Sequence, residues 1–417
     1  MPDRELNPKD AETMNAQISE PMPAALRSAR ALQARHYVGE EMLELDRRAV
    51  FGHSWQLVAH HGQLAEPGDH VVDTVAGTPV ILLRGRDGVL RAFPNVCRHR
   101  AGPLANCSGM GMHNLRCKYH GWLYDHEGRL IGAPEMQDAT DFDAAGVCLP
   151  RLRTSEWQGL VFVALDEAVP DFAEVYGGIA ERIAPVDLST MRYTRRDVFD
   201  VACNWKVYVD NFLEGYHLPL VHPGLSRLLD YRAYDVQLYP WYSLQHSPLR
   251  NADAVYGEGE ALYFFIYPNV MLNVMPGRMQ TNRVLPLGPS RCRVEFDYYY
   301  LPDAGAMARI DEDRAFSDAV QHEDMSICEA VQKGLSSGYY EAGRLSPKRE
   351  SGVWHFHERL RAAYARERGE LAAITRPGHR SVGSSVSGCV PRWWWATPSA
   401  WAYSCCRPRW PRTDTRR

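Results

Sequence analysis

The arrangement of two cysteines and two histidines between Cys97 and His120 constrains this chain most. Cys97-Arg98-His99 is followed, one glycine-containing loop later, by Cys117-Lys118-Tyr119-His120. Zinc fingers group Cys with Cys and His with His, whereas each arm here offers one thiolate and one imidazole. That distribution suits a two-iron cluster with Cys97 and Cys117 on one iron and His99 and His120 on the other. Imidazole in place of thiolate raises the reduction potential of such a cluster. The flanks read as short β-branched or aromatic runs at 55–60, 70–75, 78–83 and 89–94. Turn signals separate them: Pro67-Gly68-Asp69, Ala76-Gly77 and Arg86-Asp87-Gly88. They predict an all-β module with the two ligand arms as loops at its tip, closed by a continuous apolar strand over 160–165.

A second constellation follows at 204–223. Asp210, Glu214 and His217 are spaced i, i+4, i+7, which places them along one stripe of a helix predicted over 202–216. His217 and His222 are too far apart for one helix face, but Pro219 between them is expected to break or distort the helix. A chain turning there can bring both imidazoles to one metal. Two histidines and a carboxylate form the facial triad of non-heme Fe(II) oxygenases, which leaves positions open for O₂ and substrate. A long helix predicted over 311–334 offers the third ligand. Its apolar stripe is Phe316, Val320, Ile327 and Val331, with Asp324 on the same stripe and Glu323 turned about 100° away. A buried carboxylate is costly unless paired or metal-bound, which favours Asp324 over Glu323.

The spacing Cys-x-His-x17-Cys-x2-His, the phrase Phe93-Pro94-Asn95-Val96-Cys97-Arg98-His99-Arg100 and the run Cys117 to Trp122 resemble the Rieske non-heme iron ring-hydroxylating oxygenase α subunits. The segment Glu323-Asp324 to Gln332 resembles the region of that family's carboxylate ligand, and the likeness runs from about Tyr37 to about Glu367. Glu214 stands where most members carry an aspartate. Glutamate there resembles the carnitine monooxygenase branch, and Asn204-Trp205-Lys206 through His217 also resembles choline monooxygenases.

The resemblance implies an α+β fold: an all-β Rieske [2Fe–2S] domain at 37–170 and a helix-grip (START/SRPBCC-like) catalytic domain with an antiparallel sheet at 171–368. A loose lead at 1–36, with a short helix around 23–35, precedes them. An Arg/Trp/Cys-rich tail at 369–417, read as non-catalytic and as resembling a shifted frame, follows. It further implies a mononuclear Fe(II) on His217, His222 and Asp324, Glu214 as a bridge to the cluster histidine of a neighbouring subunit, and a homotrimer. Asp210 is read as a residue that helps orient the site. Electrons would come from NAD(P)H through a separate reductase, with or without a ferredoxin, because no dinucleotide fingerprint follows a strand here. O₂ would be the co-substrate.

The expected reaction is hydroxylation or oxidative demethylation of a small organic molecule, with a quaternary ammonium compound as the leading class. An aromatic cage for the cation is sought among Trp241, Tyr242, Tyr263, Phe264, Phe265 and Tyr267. Aromatic-ring or aromatic-acid oxygenation is the alternative, with Arg278 or Arg283 for a carboxylate. A Rieske electron carrier would need only the first module, and a structural zinc protein would be colourless. A formal charge of −4 without a long basic run before the tail argues against nucleic acid as partner. The sequence has neither an apolar stretch of bilayer length nor a signal-peptide pattern, and its cysteines do not suggest a disulfide scaffold, so a cytoplasmic protein is expected.

Overall fold

The computed structural model describes residues 24–250 and 256–369. The expectations for the lead up to Pro23 and for the tail from 370 lie outside the described residues. The helix expected over 23–35 is only Ala24–Arg27, with a short 3₁₀ turn at Ala34–His36.

Nine strands follow the first helical segment: β1 (Gln56–His60), β2 (His70–Val75), β3 (Thr78–Arg84), β4 (Leu90–Pro94), β5 (Leu115–Arg116), β6 (Leu123–Tyr124), β7 (Leu130–Gly132), β8 (Arg153–Trp157) and β9 (Leu160–Ala164). They form three small antiparallel sheets, ordered β1-β9-β8, β2-β3-β4 and β5-β6-β7. The unbroken apolar run of β9 has a physical reason. Val161 and Val163 pack with Val58, Val71 and Val80 inside the module. Leu160, Phe162 and Ala164 point the other way, into a core shared with Leu244, Phe264 and Leu272 of the second domain. A strand buried on both faces cannot alternate apolar with polar.

The second domain is built on a seven-stranded antiparallel sheet ordered β10-β16-β15-β14-β13-β12-β11. Its strands are β10 (Arg192–Val201), β11 (Asp235–Leu238), β12 (Tyr242–Pro248), β13 (Glu260–Ile266), β14 (Val270–Met275), β15 (Arg278–Gly288) and β16 (Arg291–Tyr300). Arg283 ties the two domains together, donating to the Leu57 carbonyl and to Asp73 while also pairing with Glu295. It serves the joint and not a substrate.

The helices that carry the site are α1 (Trp205–Phe212), α2 (Leu218–Val221), α3 (Pro223–Leu228), α4 (Ile310–Ser336) and α5 (Ser351–Glu367). The Asn204-Trp205-Lys206 phrase now has a structural basis. Asn204 caps α1 by accepting from the Lys206 N–H at 3.0 Å. Trp205 Nε1 and Lys206 Nζ both donate to Asp46, whose other oxygen accepts from Tyr364 of α5. Lys206 and Asp46 are fully buried, and such a pair persists only when its remaining hydrogen bonds are made.

Two helical expectations need correction. The helix expected over 202–216 ends at Phe212, so Glu214 and His217 do not continue its stripe beyond Asp210. Pro219 is not the breaker: it lies in the first turn of α2, where a missing N–H costs nothing. The chain breaks earlier, at 213–217, where Glu214 accepts from the backbone N–H groups of Tyr216 and His217.

On α4 the predicted stripe holds in its first half, where Phe316, Val320 and Asp324 are partly buried and line the inner hollow of the site, and fails in its second. Ile327 is 36% exposed and Val331 44%, while Asp313, Ser317, Gln321, Cys328, Gln332 and Leu335 are buried. The inward polar groups each find a partner: Asp313 with Arg278 and Tyr300, Ser317 with Tyr298, Gln321 with Tyr208, and Gln332 with the Asn204 N–H. The buried face of α4 meets polar groups of the sheet and α1, so it is hydrogen-bonded and not greasy.

Candidate active site

The first ligand group is built from two turns. Asn95 secures the first, accepting from the N–H groups of Leu104 and Ala105 and donating to the Ala105 carbonyl. The Ala101 N–H returns to the Cys97 carbonyl at 3.0 Å, and the Gly121 N–H to the Cys117 carbonyl at 3.1 Å. Both arms therefore fold back over their own cysteine. Cys97 and Cys117 are buried, and Tyr124 Oη lies 3.2 Å from Cys97 Sγ. A Cβ on Gly102 would come within 3.0 Å of Cys117 Sγ, so only glycine leaves that sulfur room. His99 stacks on the buried Trp122 with ring centroids 4.8 Å apart, and its Nδ1 is buried without a hydrogen-bond partner among the described residues. His120 is exposed, with Tyr119 against its ring at 3.7 Å. Two thiolates inside, two imidazoles outside and an unpaired ring nitrogen fit a [2Fe–2S] cluster of the mixed Cys/His type.

The second group draws on three short elements and α4. His217, His222 and Asp324 have ligand atoms within 4.8 Å of one another. Asp324 Oδ1 lies 3.0 Å from His222 Nε2 and 3.8 Å from His217 Nε2. The opposite ring nitrogens are tied: His217 Nδ1 to Glu214 Oε1 at 2.6 Å, and His222 Nδ1 to Glu323 Oε2 at 2.7 Å. An Nδ1–H donated to a carboxylate leaves the Nε2 lone pair for a metal and fixes the ring plane. Burial lowers the pKa of His222, but its hydrogen bonds to Asp324 and Glu323, and their negative charges, outweigh it and the net direction is upward. Asn211 Nδ2 donates to Asp324 Oδ1 at 2.6 Å and holds the carboxylate in place. The donor set of two nitrogens and a carboxylate oxygen fits a mononuclear ferrous ion.

Asp210 does not belong to this group. It accepts from Tyr37 at 2.6 Å and pairs with His357 at 2.9 Å, in the wall of the outer cleft that Glu214 and His217 also line. Glu323 and Asn211 were missed by sequence reasoning. The turn of about 100° that separates Glu323 from Asp324 does not remove Glu323 from the site. In fact that turn sends Asp324 to the Nε2 side of His222 and Glu323 to its Nδ1 side.

Two hollows meet at this site. An inner cavity of about 110 Å³ is bounded by His217, His222 and Asp324 together with Tyr256, Tyr263 and Arg278. An outer cleft of about 690 Å³ is lined by Tyr37, Asp210, Ile327, Val331 and Tyr340. Glu214 and His217 line both and form part of the wall between them. Of the rings expected to form a cage, only Tyr263 lines the inner cavity. Tyr242 and Phe264 are packed in one core and Phe265 and Tyr267 in another, while Trp241 packs partly buried against both. Alternation along a strand sends neighbouring rings to opposite faces.

Two family models match the chain: the Rieske [2Fe-2S] domain over residues 54–150 and the ring hydroxylating alpha subunit (catalytic domain) over 188–366. A chloroplastic choline monooxygenase from Arabidopsis thaliana is 36% identical over 342 residues, 75% of this chain and 78% of the relative. The carnitine monooxygenase oxygenase subunit of Escherichia coli (strain K12) is 30% identical over 349 residues, 79% of this chain and 92% of that protein. A solved quaternary ammonium Rieske monooxygenase superposes with a TM-score of 0.74 at 29% identity, over 84% of this chain and 100% of that one. The naphthalene 1,2-dioxygenase of Rhodococcus sp. shares the fold, with a TM-score of 0.66 at 18% identity over 80% of this chain and 94% of that one.

Proposed function

This chain belongs to the Rieske oxygenase α subunits of the choline/carnitine monooxygenase branch, and from that premise we propose that it oxidises a small quaternary ammonium compound. One observation carries the substrate class. Phe212 with Tyr263 and Tyr256 with Phe316 form two nearly perpendicular ring pairs, at 84° and 76°, and all four rings line the inner cavity. Ring faces set around a small hollow attract a cation that has no N–H to donate. The cavity's 110 Å³ is well below the roughly 300–1,000 Å³ of drug-sized pockets, which favours a molecule of a few heavy atoms over a polycyclic aromatic one.

In this reading Cys97, His99, Cys117 and His120 hold the [2Fe–2S] cluster, and His217, His222 and Asp324 hold the mononuclear iron. When bound, the two centres supply one-electron transfer and O₂ activation. The chain's own groups do the rest. Glu214 and Glu323 hold the Nδ1 protons so that both Nε2 atoms face inward. The aromatic pairs hold the ammonium so that a methyl or methylene beside it faces His217, His222 and Asp324 across the same cavity. Glu214 also faces the outer cleft, where an imidazole from a neighbouring subunit's cluster would meet it. This supports a head-to-tail homotrimer. Electrons come from NAD(P)H through a separate reductase, and one oxygen atom enters the substrate, as in a monooxygenase. Asp210, with Tyr37 and His357, shapes the cleft. Among the described residues no helix is long and apolar enough to cross a membrane, and we place the protein in the cytoplasm.

Substrate-dependent O₂ uptake with a surrogate reductase, across quaternary amines and aromatic acids, tests this reading. Coupled uptake is expected with quaternary amines; uptake coupled only to aromatic acids would overturn it.

A further inference from the structure

The inner cavity shares a wall with a third hollow. This hollow, of about 230 Å³, lies by the start of α4, between the Pro276-Gly277 turn that joins β14 to β15 and the short helix Ala304–Ala308. Its rim faces solvent, since Pro276, Asp303, Gly305 and Arg309 are exposed. Its floor does not: Tyr256, Arg278, Tyr300 and Asp313 line it and are all buried. Two of these four, Tyr256 and Arg278, also line the inner cavity. One layer of side chains therefore stands between the hollow and the cavity that holds His217, His222 and Asp324.

That layer is held together around one carboxylate. Asp313 Oδ1 accepts from Arg278 and, at 2.5 Å, from Tyr256, while Oδ2 accepts from Tyr300 at 2.5 Å. Arg278 also donates to Gln280 at 2.7 Å, and its guanidinium lies 5.3 Å from the centroid of the Tyr256 ring. The charge of Arg278 is thus committed to the wall. A buried ion pair adds little net stability over apolar side chains of the same volume, yet breaking one is costly. What this pair supplies is a barrier that cannot shift without leaving a buried charge unpaired.

The barrier limits how far a ligand can extend from the metal ligands. Asp313 and Asp324 are about 16 Å apart along the axis of α4. Phe316, Ser317, Val320 and Gln321 line the cavity between them. The cavity therefore follows α4, with Asp324 toward one end and the Arg278–Asp313 pair closing the other. Without the Tyr256 ring, it would run on into a hollow of about twice its own volume.

Resting on the reading above that the inner cavity holds the substrate, we infer that Tyr256 and the Arg278–Asp313 pair set the longest substrate this chain accepts. They determine specificity by closing the cavity, away from the reacting carbon. Tyr256 thus acts twice, as one face of the aromatic lining and as part of the end wall.

The test uses the full, iron-loaded chain kept free of O₂. Isothermal titration calorimetry reads Kd for alkyltrimethylammonium ions from ethyl to octyl. The unchanged chain should gain about fourfold per added methylene among the short members. It should then lose about tenfold or more at the first member that meets the wall. Tyr256→Ala should move that break to longer chains, whatever it does to overall affinity. Tyr256→Phe, which keeps the ring and loses only the hydroxyl, should leave the break in place. Ala306 lines the hollow and not the inner cavity, so Ala306→Leu added to Tyr256→Ala should bring the break back. Three results overturn the inference and leave the quaternary ammonium reading standing. They are no break in the unchanged chain, a break that Tyr256→Ala leaves in place at unchanged iron content and Tm, and a Tyr256→Phe shift as large as that of Tyr256→Ala. If the alanine variant does not fold, Tyr256→Leu takes its place under the same criteria. Binding of none of the series overturns the quaternary ammonium reading and this inference with it.

Discussion

Two pairs of imidazoles hold nearly the same mutual pose in this molecule and have opposite surroundings. His99 and His120 have ring centroids 4.6 Å apart at 70°, and His217 and His222 have theirs 5.1 Å apart at 71°. The first pair sits on loops at the tip of a β-module, with His120 exposed and His99 Nδ1 unpaired. The second is walled in by helices, and each Nδ1 is tied to a carboxylate. Free ring nitrogens at an exposed tip leave the first pair to be completed by a cluster and approached from outside. Tied ones fix tautomer and ring plane, so the second pair is ready for a single ion. In the function proposed above the same side chain serves electron entry in one place and chemistry in the other, and the neighbouring acids make the difference.

The comparison can be broken most severely at Asp324. Asp324→Ala should lose the second iron and lower turnover by more than ~100-fold while the cluster keeps its visible and paramagnetic resonance spectra. Loss of the cluster signal as well would mean that the two regions are not independent. Glu214→Gln is expected to retain both metals, by iron and sulfide analysis, and to lower coupled turnover roughly 10–100-fold. Unchanged product formation would remove the bridging role and leave Glu214 as an orienting acid. Glu323→Gln should act only on the inner pair, weakening ferrous ion binding by roughly 10-fold in a metal titration, with no change in the cluster.

The smallest expected effect concerns the joint between the two regions. His60 of β1 stacks on Tyr193 at 4.3 Å and meets Tyr299 edge-on, and burial pulls its pKa from 6.5 down to about 4. The unfolded chain therefore takes up this proton first as pH falls. The stability tied to neutral His60 is full above about 6.5 and is lost progressively between there and about 4. His355, also lowered to about 4 by burial, adds to the same window. Thermal melts from pH 7 to 4.5 should show Tm falling, with a shallower fall in His60→Phe. Equal slopes would assign the acid sensitivity elsewhere.

Much of this was legible without coordinates, and unevenly so. The Cys97 and Cys117 arms were readable because each ligand pair is local: a turn of a few residues fixes thiolate and imidazole together, whatever the rest of the chain does. The strands that carry them were readable for the same reason, with β2 falling on the residues expected. The long helix is legible to within a few residues at each end, but only the first half of its inner face is. Apolar periodicity predicts which face is buried only when the partner surface is apolar, and α4 packs its inner face over a cavity and against hydrogen-bonding side chains. The cage residues failed on similar grounds, since a run of aromatics on a strand does not say which ring faces a hollow and which a core.

The sequence by itself determined what could be bound: the mixed Cys/His set, the two histidines around Pro219, and an adjacent pair of acids on a distant helix. Tertiary structure decided which atom of each side chain does what. Glu323 and Asp324 differ by one residue and one turn of about 100°, yet they meet opposite nitrogens of His222 because α4 crosses the loop at that height. Asp210 and Glu214 share a motif and line one cleft, yet Asp210 is taken by Tyr37 and His357 while Glu214, beyond the helix end at Phe212, holds His217. Local spacing fixes chemistry when ligands are neighbours in the chain. When they are about a hundred residues apart, only the packing of the elements between them assigns the roles.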